Sequence, residues 1–184
     1  PDHSPFATPW TDGDPVTVAR SVFASLMAAM RMRAEPDGPW ALKFVLFDRI
    51  AGPVGVMDLR QRAEARDEVV TGSWLLRSHH GQGLGTQARA AVLKLAFEAL
   101  GVREARTAAY VYNAASLGVT RKLGYTQIGV EARAVRGLPA ESLAFSVDHP
   151  RWAASPAATA LNPHISWTGL DAVADLLGTG VRTA

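Results

Sequence analysis

Residues 77–89 read RSHHGQGLGTQAR, with Gly81, Gly83 and Gly85 at alternate positions behind the apolar run VVTGSWLL. Glycines at that spacing let a backbone turn tightly and bring bare N–H groups against a ligand. They stand where a strand pattern hands over to a helical one, so the unpaired amides of a first helical turn point outward. Helix starts favour Asp or Glu. Here Thr86, Gln87, Ala88 and Arg89 follow instead, and Arg77, His79 and His80 precede. An acid-free helix start among cations suits a bound anion, most simply a phosphate or pyrophosphate. The plainer reading is a glycine turn that lets the helix pack closely on a sheet. A P-loop is excluded, because no Lys-Ser or Lys-Thr follows the glycines. GLGTQA also fits the GxGxxA dinucleotide pattern. That reading needs a carboxylate at the end of the next strand, and the strand ends in Tyr110, Val111, Tyr112 and Asn113.

The elements that must position this loop are legible in order. TDGDPVTVARSVFASLMAAMRMRAEP predicts a helix with Asp14 as N-cap, Pro15 at the first position and a stripe of Val18, Val22, Leu26 and Met30 with Phe23 and Met27. Pro36 and Gly38 end it. WALKFVLFDRIAGPVGVMDLRQR predicts two hairpin-linked strands turning at residues 48–52, and EVVTGSWLLR a third that leads into the glycines. A helix over TQARAAVLKLAFEALG closes at Gly101, a strand follows over VREARTAAYVY, and NAASLGVTRKLGY reads as a short helix stopping at Gly124. Two further strands lie at about 125–136 and 141–148, joined through Gly137 and Pro139. The order implies a mixed α/β sheet.

The stretch from His79 to Tyr125 resembles the GNAT superfamily of N-acetyltransferases. The family's coenzyme A loop, (Arg/Gln)-x-x-Gly-x-(Gly/Ala), corresponds here to His80-Gly81-Gln82-Gly83-Leu84-Gly85. Its downstream Asn-x-x-(Ala/Ser) and Leu-Gly-(Phe/Tyr) correspond to Asn113, Ser116 and Leu123-Gly124-Tyr125. The serine after Asn113 and the GSWLL strand look most like the Rim-type branch, which acetylates protein N-termini and small amines. The resemblance implies an α/β fold with a central, mostly antiparallel sheet, splayed at the coenzyme A site and flanked by helices. It places one acetyltransferase-like domain at 1–150, followed by a Pro/Ala-rich connector and short helix at 151–184. The family's first strand and helix would precede PDHSPFATPW. Either some 20 to 40 residues lie upstream of this sequence, or a homodimer partner closes the sheet edge at WALKFVLF.

Transfer of an acetyl group from acetyl-CoA to a primary amine is the activity implied, by direct attack in a ternary complex. The coenzyme would meet the backbone of Trp74, Leu75 and Leu76 at the open strand edge, with an N–H of Leu75 or Leu76 facing the oxyanion. His80, Gly81, Gln82, Gly83, Leu84, Gly85 and Thr86 would hold the pyrophosphate, and Asn113 would touch the coenzyme or cap its helix. Glu68 is the candidate base, set against an ordinary solvated acid of the run RAEARDE. Ser116 is the candidate thiol-side acid, set against a helix-start serine. Two departures stand out. His80 replaces Arg or Gln with a titratable ring, and Thr120 sits where many members carry a tyrosine thought to protonate the thiolate. Trp10, Trp40, Phe6 and Phe44 are offered to an acceptor pocket or to the core.

Composition excludes several classes. The 184-residue chain has no cysteine, which rules out disulfides, thiolate metal sites and cysteine nucleophiles. Its histidines show no metal-ligand spacing, so no metal is expected. No stretch approaches the roughly 20 apolar residues of a membrane helix, and the opening residues lack a secretory pattern. A cytoplasmic protein with no membrane partner is expected. A net charge of +2, scattered along the chain, does not indicate a nucleic-acid face. The rival reading is a coenzyme A-binding module of the same fold with weak or no catalysis.

Overall fold

The structure, a computed structural model, describes residues 10–11, 13–31, 38–135, 137–171 and 177. Helix α1 (Pro15–Arg31) precedes three antiparallel strands, β1 (Ala41–Asp48), β2 (Gly52–Gln61) and β3 (Glu68–Leu75). Helix α2 (Leu84–Lys94) continues as a wider π-helical turn through Ala99. Then come β4 (Glu104–Tyr110), α3 (Ala114–Lys122), β5 (Thr126–Val135), β6 (Leu138–Asp148), α4 (His149–Ala153) and α5 (Pro156–Leu161). The strands form one six-stranded sheet in the order β1-β2-β3-β4-β6-β5, antiparallel at every join except β3–β4. This is the mixed, mostly antiparallel sheet that the element order and the resemblance imply.

Local chemistry accounts for the helix starts. The Asp14 carboxylate accepts from Val16 N at 2.8 Å, Thr17 N at 3.2 Å and Thr17 Oγ1 at 2.7 Å, and Pro15 takes the first position. The core lies between the sheet and α2, where Trp40, Leu59, Val69, Leu93, Ala96 and Phe145 meet. It extends past residue 150: Trp152 and Ala158 are fully buried in the same cluster, and the Trp152 ring meets that of Phe97 at 5.4 Å with a 45° tilt. The segment read as a connector is therefore packed against α2 over α4 and α5. The helix expected beyond it lies largely outside the described residues.

Two apolar segments are only partly covered. The stripe on α1 does not enter the core: Phe23 is 62% exposed and Met27 37%, while Val22 and Leu26 face a cleft. The Met30 side chain and Pro36 lie outside the described residues. On β1, Leu42 and Phe44 pack on the core, but Val45 and Phe47 are exposed on the opposite face. A continuous apolar run here marks a strand with one covered face, not two.

Candidate active site

The site is built where β3 and β4 part. Their parallel ladder holds for three pairs, from Glu68↔Glu104 to Val70↔Arg106, and then stops. Hydroxyls take over at the fork: Thr107 Oγ1 donates to Thr71 O at 3.2 Å, and Thr71 Oγ1 meets Tyr125 Oη at 3.3 Å. Beyond them the strands diverge into a cleft of about 890 Å³, walled by Trp74 and Leu75 on one side and Ala109 and Tyr110 on the other.

Strand alternation decides which backbone groups face that cleft. Leu76 N donates to Val54 O at 2.8 Å, so Leu76 and, by parity, Trp74 direct their amides at β2. Ser73 and Leu75 direct theirs to the open side. Leu75 O confirms the parity by lying 3.0 Å from His80 Nε2 across the mouth. Leu76 is corrected accordingly: its amide is taken, its side chain is 45% exposed, and it does not line the cleft. Of the two amides, that of Leu75 faces the open side.

The glycine loop opens onto the same cleft. Gly81 and Gly83 have φ of 77° and 80°, the left-handed region in which a side chain is strained. A Cβ on Gly81 would meet no atom within 4 Å, so its space is open to a ligand. Gly83 is the N-cap of α2; no side chain caps that end, and its first turn has no acid. His80, Gly81, Gly83, Leu84, Gly85 and Thr86 all line the cleft. Gln82 does not: its Nε2 donates to Ser78 O at 3.0 Å, bracing the loop from outside.

From the other side, α3 brings in Asn113 and Ser116. Asn113 Oδ1 accepts from Ser116 N at 3.1 Å, so Asn113 caps the helix and lines the cleft at once. Ser116 lines the cleft from that first turn. Tyr110 lines the cleft and stacks on Tyr112 at 5.2 Å, which places Tyr112 in the turn after the strand. Trp10 also lines the cleft, 5.5 Å from Trp74, whereas Trp40 and Phe44 belong to the core. Phe6 lies outside the described residues.

Glu68 is not brought to the cleft, and the base role read for it is corrected. It opens β3, so Leu75 lies about 23 Å further along the strand. Its side chain is nearly buried between Arg62, Arg103 (2.7 Å) and Arg106 (3.0 Å). Burial opposes its charge, but the hydrogen bonds from Arg62 and Arg103 and the charges of Arg106 and Arg62 prevail. They hold the carboxyl below its usual range, and an acid so held is a poor proton acceptor.

The residues that sequence reasoning missed are Asp58, Lys43 and Arg89. Asp58 lies over Gly72 on the α1 side of the fork, ion-paired to Lys43, and is the carboxylate lining the cleft among the described residues. Arg89 is 3% exposed, with Nη1 donating to Thr120 Oγ1 at 3.0 Å and Nη2 to Ser73 Oγ at 3.4 Å. Burial pushes the Tyr125 hydroxyl up against the pull of Arg89, so the phenol beside it stays neutral. A signal existed for each. Asp58 interrupts the apolar run of β2 between Met57 and Leu59, and Arg89 falls on the apolar stripe of α2 with Leu93 and Ala96.

Comparison with solved structures finds the same fold. A "probable acetyltransferase" aligns at 21% identity and a TM-score of 0.56, covering 61% of this chain and 63% of that one. A GCN5-related N-acetyltransferase from Brucella melitensis aligns at 21% and 0.57, covering 66% and 56%. The chain thus spans less than two thirds of the length of both. The ribosomal-protein-S5-alanine acetyltransferase from Vibrio fischeri aligns at 17% and 0.58, covering 73% and 71%. The family model described as an acetyltransferase (GNAT) domain matches residues 3–126, more than half of the sequence. The chain belongs to the GNAT acetyltransferase family.

Proposed function

We propose that this protein transfers an acetyl group from acetyl-CoA to a primary amine, a protein N-terminus or a small molecule. The observation that carries the proposal is the fork between β3 and β4, with an uncapped, left-handed glycine loop opening onto its mouth. The residues present fit the coenzyme. Loop amides of Gly83, Leu84 and Gly85 suit a pyrophosphate at a helix start, and the open edge at Ser73 and Leu75 suits the amides of the pantetheine arm.

Acetyl-CoA supplies an activated thioester; the chain's residues orient it and manage charge and protons. Leu75 N is aimed to stabilise an oxyanion. The attacking amine must be neutral, a condition met more easily by an α-amine, near pKa 7.7 to 8.0, than by a lysine, near 10.4. Asp58, on the α1 side, is positioned to accept its proton directly or through water, with Lys43 fixing the carboxylate. Ser116 donates a hydrogen bond on the thiol side. Cytoplasmic placement and homodimerisation remain part of the proposal.

A coenzyme A-binding module without turnover is the second reading, favoured by the removal of Glu68 from the cleft. Release of free thiol from acetyl-CoA across a panel of amines decides between the two. Amine-dependent release is the expected result. Tight acetyl-CoA binding without release for any amine would install the second reading.

A further inference from the structure

Among the described residues, no acid neutralises the charge of Arg89. Its Nε is buried without a hydrogen-bond partner, and no carboxylate pairs with it among the described residues. A buried cation left so is strongly destabilising unless something compensates it. Its level in the cleft is fixed by its neighbours. Gly85, Leu75 and Val119 form one layer: a Cβ on Gly85 would lie 3.5 Å from Leu75 and 3.6 Å from Val119. Arg89, Ser73 and Thr120 form the next, one helical turn and two strand residues inward, about 6 to 7 Å deeper than the loop. Thr71 and Tyr125 close the floor. In the function proposed above the thioester oxygen meets Leu75 N, which would put its sulfur between the Leu75 layer and Arg89.

We propose that Arg89 is a catalytic residue whose guanidinium binds the thiolate released by acetyl transfer, an inference that rests on the function proposed above. In that step the amine nitrogen bonds to the acetyl carbonyl carbon. The carbon–sulfur bond breaks with its electron pair moving to sulfur, and the amine's proton passes to Asp58 or water. Negative charge thus develops on sulfur, where a preorganised cation is most effective. Arginine gives up no proton, so the thiolate is stabilised as an anion and protonated later by solvent. Thr120 cannot serve instead: its hydroxyl donates to Ser116 O at 2.9 Å and accepts from Arg89.

The face of the sheet distinguishes a thiolate from an acceptor carboxylate. Ser73, which Arg89 touches, pairs with Met57 and points to the α2 side, as the glycine loop does. Asp58 and Lys43 sit on the opposite face, over Gly72. The titratable groups around Arg89 are Tyr125 after α3, Lys122 on α3, Tyr110 on β4, and His79 and His80 on the loop; β3 presents only hydroxyls there.

The test is to titrate free coenzyme A and S-methyl-coenzyme A into the protein across the pH range bracketing the thiol, near 8.5 by analogy with cysteine, while following thiolate absorbance. In the wild type the bound thiol is expected to titrate at least about one unit below its free value, and S-methyl-coenzyme A to show no matching pH dependence. Arg89→Met should abolish that shift and lower kcat roughly 100-fold. Its acetyl-CoA affinity and its KM for the amine should be little changed. Arg89→Lys should retain part of the shift. A bound thiol that titrates at its free value in the wild type, or equally depressed in Arg89→Met, would overturn the inference. So would a raised KM for the amine with the thiol unmoved, which would make Arg89 an acceptor anchor. If Arg89→Met does not fold, the wild-type titration decides alone. Failure of acetyl-CoA to bind the wild type would overturn the function reading itself and this inference with it.

Discussion

The two ends of the β3–β4 pair handle arginine in opposite ways. At the closed end, Arg62, Arg103 and Arg106 converge on Glu68, and Asp67 adds a second carboxylate 2.6 Å from Arg103. At the open end, Arg89 is more deeply buried than any of those three and, among the described residues, its guanidinium donates to the hydroxyls of Thr120 and Ser73. The closed end keeps its ladder of backbone hydrogen bonds, while the open end gives it up at Val70 and Arg106. Charge compensated within the chain accompanies structural closure. Charge left uncompensated, beside amides left unpaired, accompanies a cleft. One strand pair thus holds the sheet together at one end and opens into a cleft at the other.

The largest expected effect breaks the open end alone. Gly83→Asp places a side chain at a φ of 80° and a negative charge at the uncapped helix start. Acetyl-CoA binding should weaken at least about 100-fold, the order expected when a strained backbone and a repelled phosphate act together. The melting temperature should fall far less than for a core mutation. Calorimetric affinity equal to the wild type would remove the pyrophosphate from this loop.

Breaking the closed end should do the reverse. Glu68→Gln leaves three arginines without their shared anion. Because those arginines are partly exposed, the loss should fall below the roughly 3–5 kcal/mol of a fully buried pair, at about 2 kcal/mol. That corresponds to a melting temperature lower by about 4–8 °C in a chain of this size. Activity at a temperature where the variant is folded should stay within about threefold, against the 100-fold or greater loss expected of a general base. Loss of kcat without loss of stability would restore Glu68 to catalysis.

The same carboxylate sharpens the comparison through pH. Its folded pKa lies below the unfolded value, near 4.3. Its stabilising contribution is therefore complete above that unfolded value and disappears as pH falls through the folded pKa. Melting temperatures of the wild type and Glu68→Gln should differ at neutral pH and converge in acid, below about pH 4. A difference that persists unchanged to the lowest pH at which both fold would show that the clamp contributes nothing through charge.

The smallest effect concerns the thiol side of the cleft. Ser116→Ala should lower kcat by only a few-fold, since one neutral hydrogen bond contributes about 1 kcal/mol and a thiolate leaves without full protonation. A loss approaching that of Arg89→Met would assign the thiolate to Ser116 instead.

Where the chemistry was local, the sequence disclosed it. The Asn113 cap, the glycine turn and the acid-free start of α2 each depend on residues within one turn of one another. The clamp on Glu68 was not legible, because its arginines come from the β2–β3 loop, the approach to β4 and β4 itself. Leu76 was misread for a subtler reason: hydrogen-bond parity along a strand depends on register, which residue types alone do not reveal. Arg89 was visible as a basic residue on an apolar stripe, but its lack of a counter-ion appears only when α2, α3 and β3 are brought together. The stripe on α1 shows the converse, since a helical period of apolar residues covers a cleft as readily as it fills a core.

The central claim is that the fork between β3 and β4 is the coenzyme site. A crystal structure of the protein with coenzyme A tests it most directly. The expected result places the pyrophosphate on the amides of Gly83, Leu84 and Gly85 and threads the pantetheine arm past Leu75. Its sulfur should lie within reach of Arg89. Coenzyme bound elsewhere on the protein, with the fork empty or closed by its own side chains, would contradict it.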